Sequence, residues 1–504
     1  MEDRQMKFDS NLRAGTARID ITPPIPMDCV GFIRRFEPTK GVLAPLTATA
    51  LVVEDESTGD RVVIIGFDLV GIGIEQGRRI REMVGKAVNC PPDNVLLNYQ
   101  HTHAGPHPFD DMSLHKLGGD LRNVSPANQS YIAGLPDRLV SVAFLAAQDM
   151  TPVRVGAGSG KAEGISVNRR ERTADGRVIL GWNREGILDT EVSVVRFDQA
   201  DGTPKVVLVG FPCHPVVLGG ENPYVGPDYP GVVREVIEKS TGAVCIFLQG
   251  AAGNVLPLEG FFAHQGPEQA FGERVAYEAL AAFSRIRTTE STIEQIDYGS
   301  ATPINLFRRS PNSVQPHQRV AAASKYVTFP LKPLPTLKQV EDKLVEYNSN
   351  FISAETELKK VNKESNFDRW REMRARLNPL EYFQIWAEKA VVKMRAGKAE
   401  TSVEGFLQVL RIGDIAFSAV PGEPFNEIGL AVKQKSAAPY TFFCGYSNEY
   451  IAYFPTASEY AFGGYEPGHS YHNSTRLETV GPECEAIIVD TLTELSEKLF
   501  KSND

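Results

Sequence analysis

Three histidines lie within seven residues of the segment 94–108, NVLLNYQHTHAGPHP. The apolar run from Val95 to Tyr99 predicts a β-strand that ends just before His101 and His103. Positions i and i+2 of an extended chain point to the same side, so these two imidazoles can face one point. Neutral imidazole is the commonest protein ligand of zinc, so the pair is a candidate metal site. The alternative is a polar loop whose histidines are only solvated or hydrogen-bonded.

Four later side chains can complete such a site. His214 ends an apolar strand in FPCHPVV, and Glu423 follows another in SAVPGEPFNE. Tyr453 and Tyr465 flank the glycine-bearing aromatic loop YFPTASEYAFGGYE. Proteins with α/β folds place ligands at the carboxyl ends of their strands, which is where these residues fall. Taken singly, each has an ordinary structural role as its alternative: a core histidine, a turn carboxylate, or packed aromatic rings.

The elements that must position these residues indicate an α/β fold. Thr47 to Val53 and Arg61 to Asp68 are two apolar strands joined by a polar turn, which predicts a hairpin. Residues 206–258 alternate buried strands, loops and a helix, which is typical of sheets covered on both faces. We therefore expect a large mixed-sheet catalytic domain with flanking helices. Residues 109–130 are predicted to form a loop over the pocket.

A charged helical segment interrupts this pattern. Residues 333–398 carry Leu, Val, Tyr and Trp at helical spacing among many charges, and prolines mark the entry. We interpret the segment as two or three helices inserted into a single domain that spans residues 1–504. Its charges are expected to form a solvated face.

The composition excludes several classes of function. A formal net charge of −10 and a pI of about 5.6 argue against a nucleic-acid-binding protein. No apolar run is long enough for a transmembrane segment, and the polar N-terminus lacks the pattern of a secretory signal. The six cysteines are scattered and form no CxxC pair, so we expect reduced thiols and a cytoplasmic location. The sequence leaves the oligomeric state open.

Taken together, the motifs resemble a known family. They occur in this order: GTARIDITPP, NYQHTHAGP, SVNRRE, FPCHPVV, FLQGAAGNVLP, VPGEP and NEYIAYFPTASEYAFGGYE. In these segments the chain resembles the catalytic domain of the neutral (alkaline, non-lysosomal) ceramidase family. The resemblance spans roughly residues 14–490, apart from the helical insertion. We also expect the chain to lack the C-terminal β-sandwich domain that these ceramidases usually carry.

The resemblance implies one Zn²⁺ per chain. Its implied ligands are two histidines, a glutamate and a tyrosine: His101, His214, Glu423 and Tyr453. The polar groups that it implies near the scissile amide are His103, Arg169 and Tyr465, with Asn168 beside them as a substrate contact. Zinc lowers the pKa of a bound water to about 7, which suits hydrolysis of an amide. His103 can then move the proton, and Arg169 or Tyr465 can stabilise the oxyanion.

Two segments depart from the family pattern. Asn254 and Leu256 stand where the family has an aspartate and a serine, and leucine excludes an acyl-enzyme at that position. The backbone N–H groups from Gly250 to Asn254 can instead face an anionic group. Asp228 and Tyr229, in the replaced loop LGGENPYVGPDYPG, are candidate substrate contacts, with a plain turn as the alternative.

We therefore predict a zinc-dependent hydrolase that cleaves an amide by metal-activated water. The substrate is an N-acyl compound, either ceramide-like or a smaller polar amide. One alternative is the same site acting on an ester or a sugar derivative, including lyase or glycosidase chemistry. Another is a non-catalytic binding protein on the same fold.

Overall fold

The computed structural model describes residues 10–32, 35–109, 125–296, 304–312, 316–473 and 476–501. Its α-helices are α1 (Ile74–Val88), α2 (Pro126–Gln148), α3 (Tyr229–Thr241), α4 (Pro267–Arg285), α5 (Leu337–Lys359), α6 (Phe367–Arg395), α7 (Asn426–Lys435) and α8 (Cys484–Phe500). Shorter 3-10 or π-helical turns lie at Pro92–Asn94, Ala457–Phe462, Tyr465–His469 and Ser470–Asn473.

The strands, in chain order, are β1 (Leu12–Asp20), β2 (Gly41–Val42), β3 (Thr47–Asp55), β4 (Arg61–Phe67), β5 (Val95–Tyr99), β6 (Thr151–Lys161), β7 (Ser166–Arg172), β8 (Val178–Asn183), β9 (Glu191–Gln199), β10 (Pro204–Phe211), β11 (Tyr224–Val225), β12 (Val244–Gln249), β13 (Val255–Pro257), β14 (Ser291–Ile296), β15 (Leu306–Pro311), β16 (Val320–Pro330), β17 (Ser402–Ile412), β18 (Ile415–Ala419), β19 (Gly422–Pro424), β20 (Tyr440–Cys444) and β21 (Ala452–Phe454).

The largest sheet is mixed and has the order β12-β10-β9-β6-β1-β3-β4-β5. Its two end pairs, β4 with β5 and β10 with β12, are parallel, and the strands between them are antiparallel. The side chain of Asn98 connects the two edges, because it accepts a hydrogen bond from the backbone of Gln249 at 2.8 Å. The ends of β5 and β10, which precede the candidate histidines, are therefore held near each other.

A second sheet, β16-β17-β18-β20, packs against one face of the first and produces four layers. Alternate residues of β4 show the arrangement. Val62 and Ile64 face the second sheet, whereas Val63 and Ile65 pack against α1 and α2. Helices α3 and α4 cover the β9-β10-β12 end, and α7 and α8 cover the outer face of the second sheet. Because both faces of the strands are buried, their sequences are nearly continuous apolar runs.

The charged segment forms a helical hairpin. Helices α5 and α6 run antiparallel, because Glu341 near the start of α5 pairs with Arg395 at the end of α6 at 2.8 Å. Its apolar side, with Val340 and Trp386, packs on the segment around Leu477. The predicted helical structure of this segment is confirmed.

The predicted α/β class and the 47–68 hairpin are confirmed. Helix α2 begins inside the predicted loop 109–130, because Ser125 caps it by accepting a hydrogen bond from the Asn128 N–H and Pro126 occupies its first turn. The predicted loop 109–130 therefore ends in a helix, and its residues 110–124 lie outside the described part of the chain. Among the described residues, none of the helices combines the length and the apolar character needed to span a membrane.

Candidate metal and catalytic site

The candidate ligands come from the ends of strands in different parts of the fold. His101 follows β5, and His214 follows β10. Glu423 in β19 and Tyr453 in β21 are register partners in a parallel two-stranded pair. The fold thus brings together the predicted residues His101, His214 and Glu423, the first and last of which are more than 300 residues apart in the chain.

Three imidazoles converge in this region. His101, His103 and His214 each offer a ring nitrogen, and these nitrogens lie within 4.8 Å of one another. In each ring Nδ1 faces a backbone carbonyl: Val70 at 2.5 Å, Gly31 at 3.0 Å and Ala252 at 2.7 Å, respectively. A carbonyl only accepts hydrogen bonds, so Nδ1 carries the proton and Nε2 keeps its lone pair. All three Nε2 atoms are therefore prepared as metal donors.

Glu423 brings a carboxylate to the same point. Its Oε2 lies 3.5 Å from Nε2 of His101 and 3.0 Å from Nε2 of His214. The Tyr450 hydroxyl donates to Oε1 at 2.9 Å and the Tyr446 hydroxyl to Oε2 at 3.2 Å. Burial alone would raise the pKa of Glu423, but His101 and His214, which carry a proton in the acid range where a carboxyl titrates, and Arg169 outweigh it and lower that pKa. The carboxylate is therefore ionised.

The histidines of the pair are neutral. Burial lowers the pKa of His101 to about 4, and burial together with its histidine neighbours lowers the pKa of His103 well below its usual value. Nε2 of His101 and of His214 both lie close to the ionised Glu423 carboxylate, an arrangement that a cation bound between them would stabilise. The donor set of two or three imidazoles and a carboxylate fits zinc.

Arg169 and the two tyrosines border this cluster. Nη1 of Arg169 lies 3.5 Å from Nε2 of His214, and its guanidinium packs 5.4 Å from the ring centre of Tyr453. The rings of Tyr453 and Tyr465 are 5.5 Å apart. Burial, followed by the charge of Glu423, raises the pKa of Tyr453 well above its usual value. Its phenol is therefore protonated in the metal-free protein.

The cluster lies at one end of a cavity of about 330 Å³. His101, His103, Glu423, Tyr450, Tyr453 and Tyr465 line its polar end. The walls are apolar and comprise Val30, Phe32, Val70, Phe109, Leu180, Val216, Leu256 and Phe261. Two larger clefts, of about 600 and 540 Å³, contain none of the three histidines. We therefore take the smaller cavity, which holds the donors, as the candidate active site.

The structure places the predicted substrate contacts elsewhere. Asn168 donates to the carbonyl of Ile187 at 3.1 Å, and Asn254 donates to Glu427 at 2.9 Å. Both asparagines line the polar cleft of about 540 Å³ and not the histidine cavity. The backbone N–H of Gly250 donates to the side chain of the preceding Gln249 at 3.1 Å.

Asp228 and Tyr229 have structural partners. Asp228 caps helix α3 by accepting from the Tyr229 N–H at 2.7 Å, and it also accepts from the Leu218 N–H at 2.9 Å. The Tyr229 hydroxyl donates to the carbonyl of Cys213 at 2.7 Å. Neither side chain is among those that line the cavity. These contacts match the plain-turn alternative.

Several site residues escaped the sequence analysis. Tyr446 and Tyr450 hold Glu423, and Glu466 is a fully buried carboxylate beside Arg169. Glu466 is adjacent to the predicted Tyr465, but its role depends on a contact across almost 300 residues, which no local spacing shows. His101 has a φ of 71°, a conformation that is uncommon for residues other than glycine. Such strain is concentrated at functional sites.

The fold and the site define an α/β protein with a histidine–carboxylate centre at the end of an apolar cavity. The family model described as neutral/alkaline non-lysosomal ceramidase, N-terminal, matches residues 12–267, about half of the chain. The chain belongs to this family, as its motifs predicted. Members of the family hydrolyse the amide bond of ceramide.

Individual relatives and solved structures agree. The chain is 24% identical to the neutral ceramidase of Pseudomonas aeruginosa, covering 97% of this chain and 73% of that protein. It is 22% identical to the neutral ceramidase of Mycobacterium tuberculosis, covering 97% and 77%. The crystal structure of the Pseudomonas aeruginosa enzyme matches with a TM-score of 0.64 at 20% identity, over 98% of this chain and 75% of that one. A structure of a ceramidase complexed with C2 matches equally well, with a TM-score of 0.64 at 19% identity, over 98% and 76%.

Proposed function

We propose that this chain is a zinc-dependent amidohydrolase that cleaves an N-acyl, ceramide-like substrate. The observation that carries the proposal is the convergence of the His101 and His214 Nε2 lone pairs on the ionised Glu423 carboxylate, inside a cavity with apolar walls. Family membership supports the amide as the bond that is cleaved. The apolar walls favour a lipid-like acyl compound over a small polar amide.

The proposed zinc ligands are His101, His214, Glu423 and Tyr453. A zinc ion held there would activate water and polarise the amide carbonyl. His103 also belongs to the group of converging imidazoles, so it is either an additional ligand or the group that transfers a proton. We assign it the second role, because its Nε2 is buried and has no hydrogen-bond partner among the described residues, while its Nδ1–H is held by Gly31. A neutral imidazole in that position can accept a proton and pass it to the departing amine nitrogen.

Arg169 and Tyr465 are assigned to the developing negative charge. Burial by itself lowers the pKa of Arg169, but Tyr453 and Glu466 outweigh it and raise that pKa, so the guanidinium stays charged. A fixed cation beside the histidine cluster and a phenol at the polar end of a cavity with apolar walls would stabilise an oxyanion more strongly than they would in water. The apolar walls position the acyl chain and reduce the access of competing water.

Metal content and turnover test the proposal together. Purified wild-type protein, His101→Ala, His214→Ala and the matched control His264→Ala are analysed for zinc and for fatty-acid release from an N-acylsphingosine. His264 is exposed and is not among the residues that line the cavity, so its removal controls for the loss of any imidazole.

We expect about one zinc per chain, with turnover, in the wild type and in His264→Ala. We expect loss of both metal and turnover in the two cluster variants, and loss of turnover with metal retained in His103→Ala. A wild-type protein that takes up no zinc when zinc is offered, or a His214→Ala variant that keeps it all, would contradict the proposal. Zinc without hydrolysis of amides, but with cleavage of esters or sugar derivatives, would favour the alternative substrates.

A further inference from the structure

One wall residue of the cavity, Leu256, lies directly beside the catalytic cluster. It is the middle residue of β13, which pairs with β7 so that Leu256 is opposite Val167. Its neighbour Val255 points into the core beneath α3 and α4. Because successive side chains of a strand point to opposite faces, Leu256 is turned the other way, into the cavity.

The backbone on the N-terminal side of Leu256 is fixed to two site residues. The carbonyl of Val255 lies 3.1 Å from Nδ1 of His214, and the carbonyl of Asn254 accepts a hydrogen bond from the Arg169 N–H at 2.7 Å. The Leu256 side chain therefore cannot move away from the cluster without disturbing His214 or Arg169. Whatever part of the substrate lies next to the scissile bond on this side has to contact its isobutyl group.

A substrate hydroxyl that contacts Leu256 finds no hydrogen-bond partner on this side chain and little room for water. Leu256 is only 8% exposed, whereas the other wall residues Leu180 and Phe261 are 48% and 53% exposed. A substrate hydroxyl near Leu180 or Phe261 can keep its hydration, but a hydroxyl against Leu256 would lose it. An unpaired buried hydroxyl costs about 1–3 kcal/mol, whereas a methylene gains from the same contact.

We propose that Leu256 is a specificity-determining residue that selects N-acyl substrates presenting plain hydrocarbon, and not a hydroxyl, next to the scissile amide. This inference rests on the proposed amidohydrolase function. It narrows the substrate class to amides whose polar substituents, where present, lie away from β13.

The test uses two amides with the same acyl chain. One is an N-acylsphingosine, which carries hydroxyls close to the amide nitrogen, and the other is an N-acylhexadecylamine, which carries none. The variants are L256V and L256T. Valine and threonine have the same shape and are both favoured in strands, but threonine has a hydroxyl where valine has a methyl group. Turnover is measured with zinc-loaded full-length protein, and L180T, at an exposed part of the wall, is the control.

We expect wild type and L256V to prefer the hydroxyl-free amide in kcat/KM. In L256T the ratio of the two kcat/KM values should shift about tenfold or more toward the hydroxylated amide, because the threonine hydroxyl supplies the missing partner. In L180T that ratio should stay within about twofold of wild type. Equal changes for both amides in L256T, or the same ratio in L256V and L256T, would overturn the assignment of Leu256.

A second readout separates this inference from the proposed function. The dissociation constants of both amides are measured with the same four proteins in the zinc-free state. If neither amide is hydrolysed, the proposed function fails, and the ratio of dissociation constants then decides the role of Leu256 by the same criteria. The thermal unfolding midpoints of L256V and L256T are also compared. If they agree, a difference in folding does not account for the difference in substrate preference between the two variants.

Discussion

Replacement of Glu466 by glutamine should destabilise the protein more than any other single charge removal around the site. The carboxylate is fully buried; its Oε1 accepts from Nε of Arg169 and its Oε2 from Nη1 of Arg170, both at 2.7 Å. Both arginine side chains are themselves almost completely buried. Glutamine keeps the size of the side chain but is neutral, and its NH₂ group would face one of the two guanidinium donors.

The size of the effect follows from burial. Removing one partner of a buried ion pair costs about 3–5 kcal/mol, because the remaining charge is left uncompensated. Arg170 retains Glu459 at 2.8 Å, so the larger part of the cost is expected from Arg169. The free energy of unfolding in urea should therefore fall by about 3–5 kcal/mol. Turnover should fall as well, since Arg169 loses the contact that orients it, while zinc content should be unchanged.

Glu459 provides the matched control. It pairs with Arg170 and Arg172, but its side chain is 15% exposed and Arg172 is half-exposed. Glu459→Gln should cost less than Glu466→Gln, because Glu459 is partly exposed, one of its two partners is half-exposed, and Arg170 keeps Glu466. If Glu466→Gln and Glu459→Gln have the same free energy of unfolding, burial of the Glu466 ion pairs does not increase the cost of losing their charge, and the reasoning is refuted.

Three further predictions concern the site and its supports. Gly31→Ala places a Cβ 2.6 Å from the His103 ring at a φ of +111°, so kcat/KM should fall at least about tenfold through displacement of that imidazole. Tyr450→Phe removes a hydrogen bond to Glu423 and should weaken zinc binding about 10–100-fold in a chelator competition titration. Burial raises the pKa of Asp228 to about 7 in the folded protein, so the folded state binds more protons and stability falls as pH rises from about 4 to 7. The free energy of unfolding in urea should therefore fall by up to about 4 kcal/mol between these pH values in the wild type, and Asp228→Asn should abolish this pH dependence.

Each of these has a control or a contrary outcome. Gly164→Ala imposes a similar strain, at a φ of +71°, with no atom within 4 Å of the new Cβ, and should leave turnover unchanged. Tyr460→Phe removes a partly buried hydroxyl outside the cluster and should leave zinc affinity unchanged. Identical pH slopes for wild type and Asp228→Asn would show that this carboxyl is not protonated in the folded protein.

The sequence predicts those parts of the fold that local pattern determines. Apolar runs are properties of contiguous residues, so the first hairpin and β5 were predicted close to their observed bounds. The second sheet was not predicted as a layer, because its stacking on the first depends on side-chain packing between residues 320–444 and the N-terminal strands. The start of helix α2 was interpreted as part of a loop, because its capping serine and its proline lie in a polar region.

The site likewise contains residues that a local sequence pattern predicts and residues whose role depends on contacts with distant parts of the chain. His101, His214 and Glu423 follow apolar strands, a local signal, and the family resemblance connected them. Gly250 and Asn254 were expected near the substrate because their segment stands where the family has residues close to the reaction centre, and because its backbone N–H groups can face an anionic group. The sequence could not show which face of the loop is inward: the Asn254 side chain donates to Glu427, while its backbone carbonyl binds Arg169. The direction in which a loop side chain points is decided by long-range partners.

The backbone contacts of the histidines favour a metal site over a set of ordinary buried imidazoles. A histidine whose hydrogen-bonding capacity is met within the core uses both ring nitrogens. Here Nδ1 of His101, His103 and His214 is hydrogen-bonded to backbone carbonyls from three separate segments. The Nε2 atoms of the three rings therefore face one another. Among the described residues, the group closest to two of these nitrogens is the Glu423 carboxylate, which is itself an acceptor. Acceptors from several parts of the chain are therefore assembled around one point, and a cation bound there would make the arrangement favourable.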